Sequence, residues 1–225
     1  MKTRDKIVHA SIELFNEKGE RNITTNHIAS HLGISPGNLY YHFRNKEDII
    51  NTIYSEYADD LLSEFEHLRD TEDPLNSILM YMDIVFQLIS KFRFFYSNLP
   101  VLLAKNPALR KRYSEIQQQI KQRVINMLLS LNEANILTIK DDEYEDLTCL
   151  LRLTTTFWLS YLQTQVDEDP KINDESIYDG LLKIFALLSP YVTDDARDAF
   201  EAARAKYQAL KIESAVVTSE ISSES

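Results

Sequence analysis

Residues 24–48, TTNHIASHLGISPGNLYYHFRNKED, decide the fold, because they predict two short helices joined by a tight turn. The threonine pair that opens this stretch is suited to cap the first helix, and Gly33 supplies the permissive backbone on which a helix ends. Ser35 followed by Pro36 is an N-cap followed by a first-turn proline, so a second helix is expected to begin there. Two helices joined by about four residues, with glycine in the turn, are typical of a DNA-binding helix-turn-helix.

The side chains of this stretch predict one buried and one exposed face. The positions expected to point inward are Ile28, Ala29, Leu32, Ile34, Leu39 and Phe43. On the outer face of the second helix, Asn38 offers both a donor and an acceptor to an adenine edge, and Gly37 lets the backbone approach closely. Tyr41 and His42 are suited to contact a phosphate or a thymine methyl. An ordinary helical hairpin with a polar surface is the weaker alternative.

Several short motifs follow one another in a fixed order along residues 7–50. They are Phe15-Asn16-Glu17-Lys18-Gly19, Thr24-Thr25, Ile28-Ala29, Gly33-Ile34-Ser35, Gly37-Asn38-Leu39-Tyr40-Tyr41-His42-Phe43 and Lys46-Glu47. In this order, they resemble the N-terminal domain of the TetR/AcrR family of bacterial transcriptional regulators. The resemblance implies phosphate contacts from Thr24 or Thr25, Tyr40, His42 and Lys46, and base contacts from Gly37, Asn38 and Tyr41. With the capping serine added, the predicted DNA-binding residues are Thr24, Thr25, Ser35, Gly37, Asn38, Tyr40, Tyr41, His42 and Lys46.

The composition predicts an all-α protein, since only 4 Gly and 6 Pro in 225 residues favour long helices over turn-rich sheet. We expect a three-helix helix-turn-helix head at residues 1–48 and a larger helical body at residues 49–212. The resemblance assigns effector binding and dimerisation to this body. Within it, a short helix is expected only after Pro100, and the last helix at about 194–212. The remaining tail, residues 213–225, has too little apolar surface to fold and is expected to be disordered.

The net charge of −11 opposes binding to a polyanion, but its distribution removes much of the objection. Residues 1–50 carry seven Lys or Arg against six Asp or Glu, whereas residues 51–225 carry 17 against 29. The acidity therefore lies in the part expected to point away from DNA. Because the head is nearly neutral, specificity is expected to depend on dimeric spacing and a few base contacts.

Other kinds of chemistry find little support in the sequence. No apolar run suggests a signal peptide or a membrane span, so a cytoplasmic protein is expected. Cys149, the only cysteine, is expected to be a buried, inert thiol. His27 and His31 lie four residues apart without an evident third ligand, so no metal site is predicted. No catalytic motif or cofactor-binding loop is present, and the chain is not expected to be an enzyme or to hold a cofactor.

The body contains aromatic and aliphatic residues that could line a mostly apolar effector cavity, although aromatic residues at helical spacing more often belong to a packed core. The predicted lining residues are Phe86, Phe95, Tyr96, Leu99, Leu103, Tyr113, Ile116, Gln117, Ile120 and Trp158. Such a lining suits a small hydrophobic or amphipathic effector. Arg152 with Thr154, Thr155 and Thr156 is either a polar anchor for this ligand or an interhelical hydrogen-bonding group.

Two late helices carry apolar residues that predict a homodimer with a four-helix interface. The predicted interface residues are Leu150, Leu153, Phe157, Tyr161, Leu181, Ile184, Phe185 and Leu188. The resulting hypothesis is a repressor whose two heads occupy half-sites of a near-palindromic operator on double-stranded DNA, about 34–36 Å or a multiple of this apart. Binding of the effector would release this repressor from the operator. The alternative is an acidic helical adaptor or sensor dimer that acts through another protein.

Overall fold

The computed structural model describes residues 1–67, 74–165 and 172–223, and the side chains of residues 1–64, 74–165 and 172–215. Ten α-helices lie in these ranges: α1 Thr3–Lys18, α2 Thr25–His31, α3 Pro36–His42, α4 Lys46–His67, α5 Pro74–Lys91, α6 Arg93–Lys105, α7 Pro107–Glu133, α8 Tyr144–Gln163, α9 Asp174–Leu188 and α10 Arg197–Ser223. Outside them, the described residues contain two 3-10 turns, at Glu20–Asn22 and Ser189–Tyr191, and one isolated β-bridge between Leu137 and Val192. The predicted all-α class is confirmed.

Helices α1 to α3 form the head, with the capping chemistry that the sequence predicted. The Thr24 hydroxyl accepts a hydrogen bond from the His27 backbone, and the Ser35 hydroxyl accepts one from the Asn38 backbone. Gly33 has a φ of 64° in the turn between α2 and α3, a conformation that favours glycine. The inward positions behave as expected: Ile28, Ala29, Leu39 and Phe43 are buried, and Leu32 and Ile34 pack half-buried against the same core. The helix-turn-helix is therefore confirmed.

Helix α6 corrects the expectation that a helix would start only after Pro100, since it runs unbroken from Arg93 to Lys105. Proline removes the N–H that would otherwise bond to the carbonyl four residues earlier, which belongs to Tyr96. The hydroxyl of Ser160 on α8 donates to this carbonyl at 2.9 Å and lies 3.3 Å from the carbonyl of Ser97. A neighbouring helix thus supplies the missing hydrogen bond, and α6 continues.

The last helix also differs from its predicted extent, because α10 continues to Ser223 where a disordered tail was expected from residue 213. Once a helix is nucleated, each further residue adds one backbone hydrogen bond, and residues 197–223 contain no glycine or proline to end it. Its first half is anchored in the body: the Tyr207 hydroxyl donates to Asp83 at 2.6 Å and lies 3.1 Å from the Leu79 carbonyl of α5. Residues 224 and 225 lie outside the described part of the chain.

The body packs α9 between α8 and α10, and α5 also contacts it. Where α8 meets α9, Gly180 faces the indole of Trp158, and a Cβ added at Gly180 would lie 2.5 Å from Trp158 Cδ1. The indole is held in place because its Nε1 donates to the Ser176 carbonyl at 2.8 Å. The absence of a side chain at Gly180 therefore allows the two helices to approach closely.

We expect Gly180→Ala to lower the free energy of unfolding by about 1–3 kcal/mol, the usual cost of overpacking a core. Urea unfolding, monitored by circular dichroism, measures this change in the free energy of unfolding. Gly37→Ala is the matched control, since a Cβ there would have its nearest neighbour, the Ser35 hydroxyl, at 3.9 Å. Adding Trp158→Leu to Gly180→Ala should recover part of the loss. Equal stability of Gly180→Ala and the parent protein would contradict this packing.

Helix α4 connects the head to the body and straddles the predicted boundary at residue 48. Its N-terminal part contacts the head, where the Arg4 guanidinium donates to Thr52 at 3.0 Å. The same part of α4 contacts the body, where Asn106 donates to Asn51 at 2.8 Å and Arg112 donates to Ser55 at 2.7 Å. Within the described ranges, no helix has the length and apolarity needed to cross a membrane.

Candidate nucleic-acid interface and interior cavity

The outer face of α3 presents the groups suited to read DNA. Gly37, Asn38, Tyr40 and Tyr41 are all exposed, and 85% of the surface of Tyr41 is accessible. The Asn38 side-chain amide makes no hydrogen bond to the described residues, so its donor and acceptor are both free for a base edge. Because α3 begins at Ser35 and Pro36, these residues lie in its first two turns. The arrangement suits insertion of α3 into a major groove.

Two of the predicted phosphate contacts are linked to each other. The Tyr40 hydroxyl lies 3.1 Å from the Thr25 hydroxyl, so this hydrogen bond joins α3 to α2 while Tyr40 remains half exposed. His42 is half-buried, and its ring meets the Tyr41 ring edge-on at a centroid distance of 5.1 Å. Thr24 is exposed at the start of α2. The structure therefore brings the polar hydroxyls of α2 and α3 to one surface.

Lys46 occupies a different place from the one predicted for it. Its ammonium group pairs with the Glu20 carboxylate at 2.6 Å and donates to the carbonyls of Glu20 and Ile23 at 2.8 and 3.0 Å. These three partners use all three N–H donors of a lysine. Glu20 is buried and the Lys46 side chain is only 22% exposed. Lys46 therefore forms a clamp between the start of α4 and the turn after α1, and its phosphate contact stays a prediction.

Two arginines near the interface have different environments. Arg44 lies exposed just after α3, and its side chain makes no hydrogen bond or ion pair within the described chain. Arg4, by contrast, stacks its guanidinium 4.9 Å from the centre of the Phe43 ring. Arg44 is thus the better candidate for a phosphate contact, although the motif-based prediction did not include it.

His27 and His31 do not form a metal site with any third group in the described ranges. His27 Nδ1 accepts a hydrogen bond from the Thr24 backbone at 3.3 Å, which completes the cap of α2. His31 lies 4.0 Å from the Glu13 carboxylate on the surface. Both residues therefore have local structural partners.

A cavity of about 40 Å³ lies inside the body, where α4, α5, α6, α7 and α8 converge. The lining residues are Tyr57, Leu61, Tyr81, Val85, Leu88, Phe95, Tyr96, Leu99, Tyr113, Gln117, Ile120, Arg152, Thr155 and Thr156. Its volume accommodates a few water molecules and is far smaller than the space that a drug-sized ligand fills. Binding of such a ligand would have to displace the surrounding side chains.

Six of the predicted lining residues do border this cavity, namely Phe95, Tyr96, Leu99, Tyr113, Gln117 and Ile120. The other four do not. Phe86 stacks on Tyr178 with a centroid distance of 4.2 Å, and Trp158 packs against Gly180. Ile116 and Leu103 pack with the apolar core away from the cavity. The missed residues come mainly from α4 and α5, whose apolar spacing indicated helices but gave no sign of which side would border a cavity.

Polar groups occupy one part of the cavity wall. The Tyr57 and Tyr96 hydroxyls lie 2.9 Å apart, and Arg152 Nη2 donates to Gln117 Oε1 at 2.8 Å. Burial raises the pKa of Tyr81 to about 12, although the Arg152 guanidinium opposes this shift. Burial likewise raises the pKa of Tyr57 and of Tyr96. These phenols are therefore neutral at pH 7 and act as hydrogen-bond donors and acceptors.

The eight predicted dimer residues separate into two groups. Leu150, Leu153, Phe157 and Tyr161 form a stripe on α8, the α8 stripe, whose members are 38–54% exposed. The four predicted α9 residues, Leu181, Ile184, Phe185 and Leu188, are buried in the monomer core, where Phe185 packs against Phe200 and Tyr207. These four α9 side chains therefore pack within the monomer, with Phe185 against α10 and Leu181 and Ile184 facing α5 and α8.

Cys149 lies on the same helix and is exposed, which corrects the expectation of a buried thiol. The inward face of α8 carries Leu147, Thr148 and Leu151, so helical periodicity turns the side chain of Cys149 outward. Its apolar sequence neighbours were therefore a poor guide to its burial.

A helix-turn-helix with a free reading face, joined by one long helix to a larger helical body, defines the class of DNA-binding transcriptional regulators. Comparison with known protein families supports this class. Residues 7–53 match the family described as bacterial regulatory proteins, tetR family, and residues 56–200 match a TetR family described as bacterial transcriptional repressor. The chain belongs to the TetR family.

Individual relatives support this assignment. The chain is 27% identical to IcaR of Staphylococcus epidermidis, the negative transcriptional regulator of the icaADBC biofilm operon, over 81% of this chain and 98% of IcaR. A TetR-family regulator from Marinobacter aquaeolei is 38% identical, with a TM-score of 0.83 over 92% of this chain and 99% of that one. The fatty acid degradation regulator FadR of Bacillus halodurans is 15% identical with a TM-score of 0.61, over 84% of this chain and 96% of FadR, and shares the fold. The protein is accordingly a DNA-binding transcriptional repressor and not an enzyme, and the adaptor alternative is not favoured.

Proposed function

We propose that the protein represses transcription as a homodimer on a near-palindromic operator, and that a small hydrophobic or amphipathic effector in the interior cavity releases it. The observation that carries this proposal is the position of α6. Phe95 and Tyr96 of α6 border the cavity, while the preceding residue, Phe94, contacts the head. One short helix thus touches both the effector cavity and the DNA-binding unit.

The contact between α6 and the head consists of apolar packing and hydrogen bonds. The Phe94 and Phe15 rings pack with a centroid distance of 5.1 Å. The Asn16 side chain accepts a hydrogen bond from the Phe94 backbone at 3.0 Å and donates one to the Lys91 carbonyl at 2.9 Å. Because Asn16 holds the end of α5 and the start of α6 together, a displacement of α6 by the effector would be transmitted to α1.

Repression by this mechanism needs two states with different head spacing. The effector must bind the DNA-incompetent state more tightly, because a ligand with equal affinity for both states shifts nothing. The small volume of the cavity supports this, since a ligand larger than a few waters would require the five surrounding helices to rearrange. The proposed dimer forms through the α8 stripe, and its two-fold symmetry would match the two inverted half-sites of the operator.

At the operator, we assign base contacts to Gly37, Asn38 and Tyr41, and phosphate contacts to Tyr40, to His42, to the hydroxyls at Thr24, Thr25 and Ser35, and to Arg44. The helix N-termini capped by Thr24 and Ser35 add partial positive charge near the phosphates. Lys46 contributes indirectly, by holding α4 against the head.

Asn38→Ala should reduce discrimination at one base pair of each half-site by about 1–3 kcal/mol, while Arg44→Ala should weaken binding to all sequences. Arg44→Ala should also lower the slope of log affinity against log salt by about 1 for each phosphate that is no longer neutralised. Gel-shift titrations on the operator and on single-base variants, at several salt concentrations, separate the two effects.

Lys105→Ala is the matched control for Arg44→Ala, because it removes an exposed cation at the end of α6 in the body. It should leave affinity and salt slope unchanged. If Asn38→Ala kept full base discrimination and Arg44→Ala kept the full salt slope, the proposed reading face would be wrong.

A further inference from the structure

Arg152 is the charged residue of the cavity wall, and it lacks a compensating charge there. Among the described residues that line the cavity, none is an aspartate or a glutamate. Its Nη2 donates to the neutral amide of Gln117, and its Nε is buried without a partner among the described residues. Arg152 is only partly exposed, so its charge carries part of the desolvation cost of an unpaired buried charge. This cost is removed when an anion enters the cavity.

The tyrosines near Arg152 in the cavity wall are also suited to bind an anion. When two hydroxyls share one hydrogen bond, as Tyr57 and Tyr96 do, one O–H hydrogen stays available for another acceptor. Burial raises the pKa of Tyr113, so this phenol is also neutral. Neutral phenols donate to a carboxylate, whereas an ammonium ligand would meet the Arg152 charge at short range.

The remaining wall is apolar. Leu61, Val85, Leu88, Leu99 and Ile120 lie around the polar group and offer a surface for a hydrocarbon tail. Arg152 also presents a planar fork of N–H donors, which matches the two oxygens of a carboxylate. We propose that the cavity binds an amphipathic carboxylate, with its carboxylate on Arg152 and its aliphatic or arylalkyl tail among these residues. This inference rests on the proposed function of the cavity as the effector site.

A substitution at Gln117 tests whether Arg152 lacks a counter-ion, and it does so without enlarging the cavity. Gln117→Glu keeps the shape of the side chain and places a carboxylate where Oε1 already lies 2.8 Å from Arg152 Nη2. The protein would then carry its own counter-ion. We expect this variant to be at least as stable as the parent protein and to bind carboxylates poorly.

The experiment measures thermal unfolding and isothermal titration of the full chain, without DNA, with hexanoate, octanoate, decanoate and phenylacetate. The matching alcohols and amines serve as controls. At least one carboxylate should raise the unfolding temperature more than its alcohol and amine do, because binding to the native state stabilises it. Arg152→Gln and Gln117→Glu should each weaken its binding by at least about 10-fold, the loss expected for a charge-assisted contact.

The inference is overturned if no carboxylate exceeds its matching alcohol, or if Gln117→Glu binds carboxylates as the parent protein does. A gel shift with the same compounds tests the proposed function separately. A carboxylate that binds through Arg152 but leaves the DNA complex intact supports the binding site and contradicts its role in release. Release of DNA by an alcohol, with no carboxylate bound, supports the effector role and contradicts the anion site.

Discussion

Replacing Leu153 and Phe157 by glutamate should convert the protein into a monomer and weaken operator binding by about 100-fold or more, the scale of avidity that disappears when two linked sites separate. Both side chains belong to the α8 stripe and are 54% and 38% exposed in the single chain. In the proposed dimer, the new carboxylates would be buried without partners, which is strongly unfavourable. In the monomer they would remain in water.

Sedimentation velocity and a gel shift on a two-half-site duplex measure these changes. Leu129→Glu is the matched control, since Leu129 is 39% exposed but lies on α7, away from the α8 stripe. It should remain dimeric and bind DNA normally. A Leu153→Glu, Phe157→Glu double variant that stays dimeric would show that the two subunits meet elsewhere.

Lys46→Met should lower the stability of the head by about 3 kcal/mol, because it leaves the buried Glu20 carboxylate without its partner. It also removes the donors to the carbonyls of Glu20 and Ile23. The alkyl part of the side chain is retained, so the loss reports on the charge and the hydrogen bonds. Urea unfolding measures it, with the exposed Lys6→Met as control.

A second measurement distinguishes this clamp from the phosphate contact that the family resemblance implied. Under conditions where Lys46→Met remains folded, its operator affinity and salt slope should equal those of the parent protein. Adding Glu20→Gln should recover part of the stability, because the uncompensated charge is removed. Full stability of Lys46→Met together with a reduced salt slope would return Lys46 to the DNA interface.

The head could be predicted closely because its signals are local. A capping threonine or serine, a first-turn proline and a glycine with positive φ each determine the backbone within a few residues. The buried and exposed faces then follow from helical spacing. The ion pair and hydrogen bonds of Lys46 were not predicted because its partners, Glu20 and Ile23, lie more than 20 residues away and no local pattern indicates them.

The body was less predictable because its features depend on which helices meet. Pro100 ordinarily breaks a helix, and only Ser160, on a different helix, explains why α6 continues. Aromatic residues such as Phe86 and Trp158 have the same periodicity whether they border a cavity or fill a core. The apolar face of α9 likewise gave no sign that it would be buried in the monomer core while the α8 stripe stayed exposed.

In the proposed mechanism, two copies of the α3 reading face act together on one operator. A decisive test is to incubate the protein with a random-sequence duplex library at moderate salt and to sequence the bound fragments. We predict one enriched inverted repeat whose half-site centres lie about 34–36 Å apart, or a multiple of this distance. Enrichment of a single half-site without its inverted copy, or no enrichment at all, would contradict this mechanism.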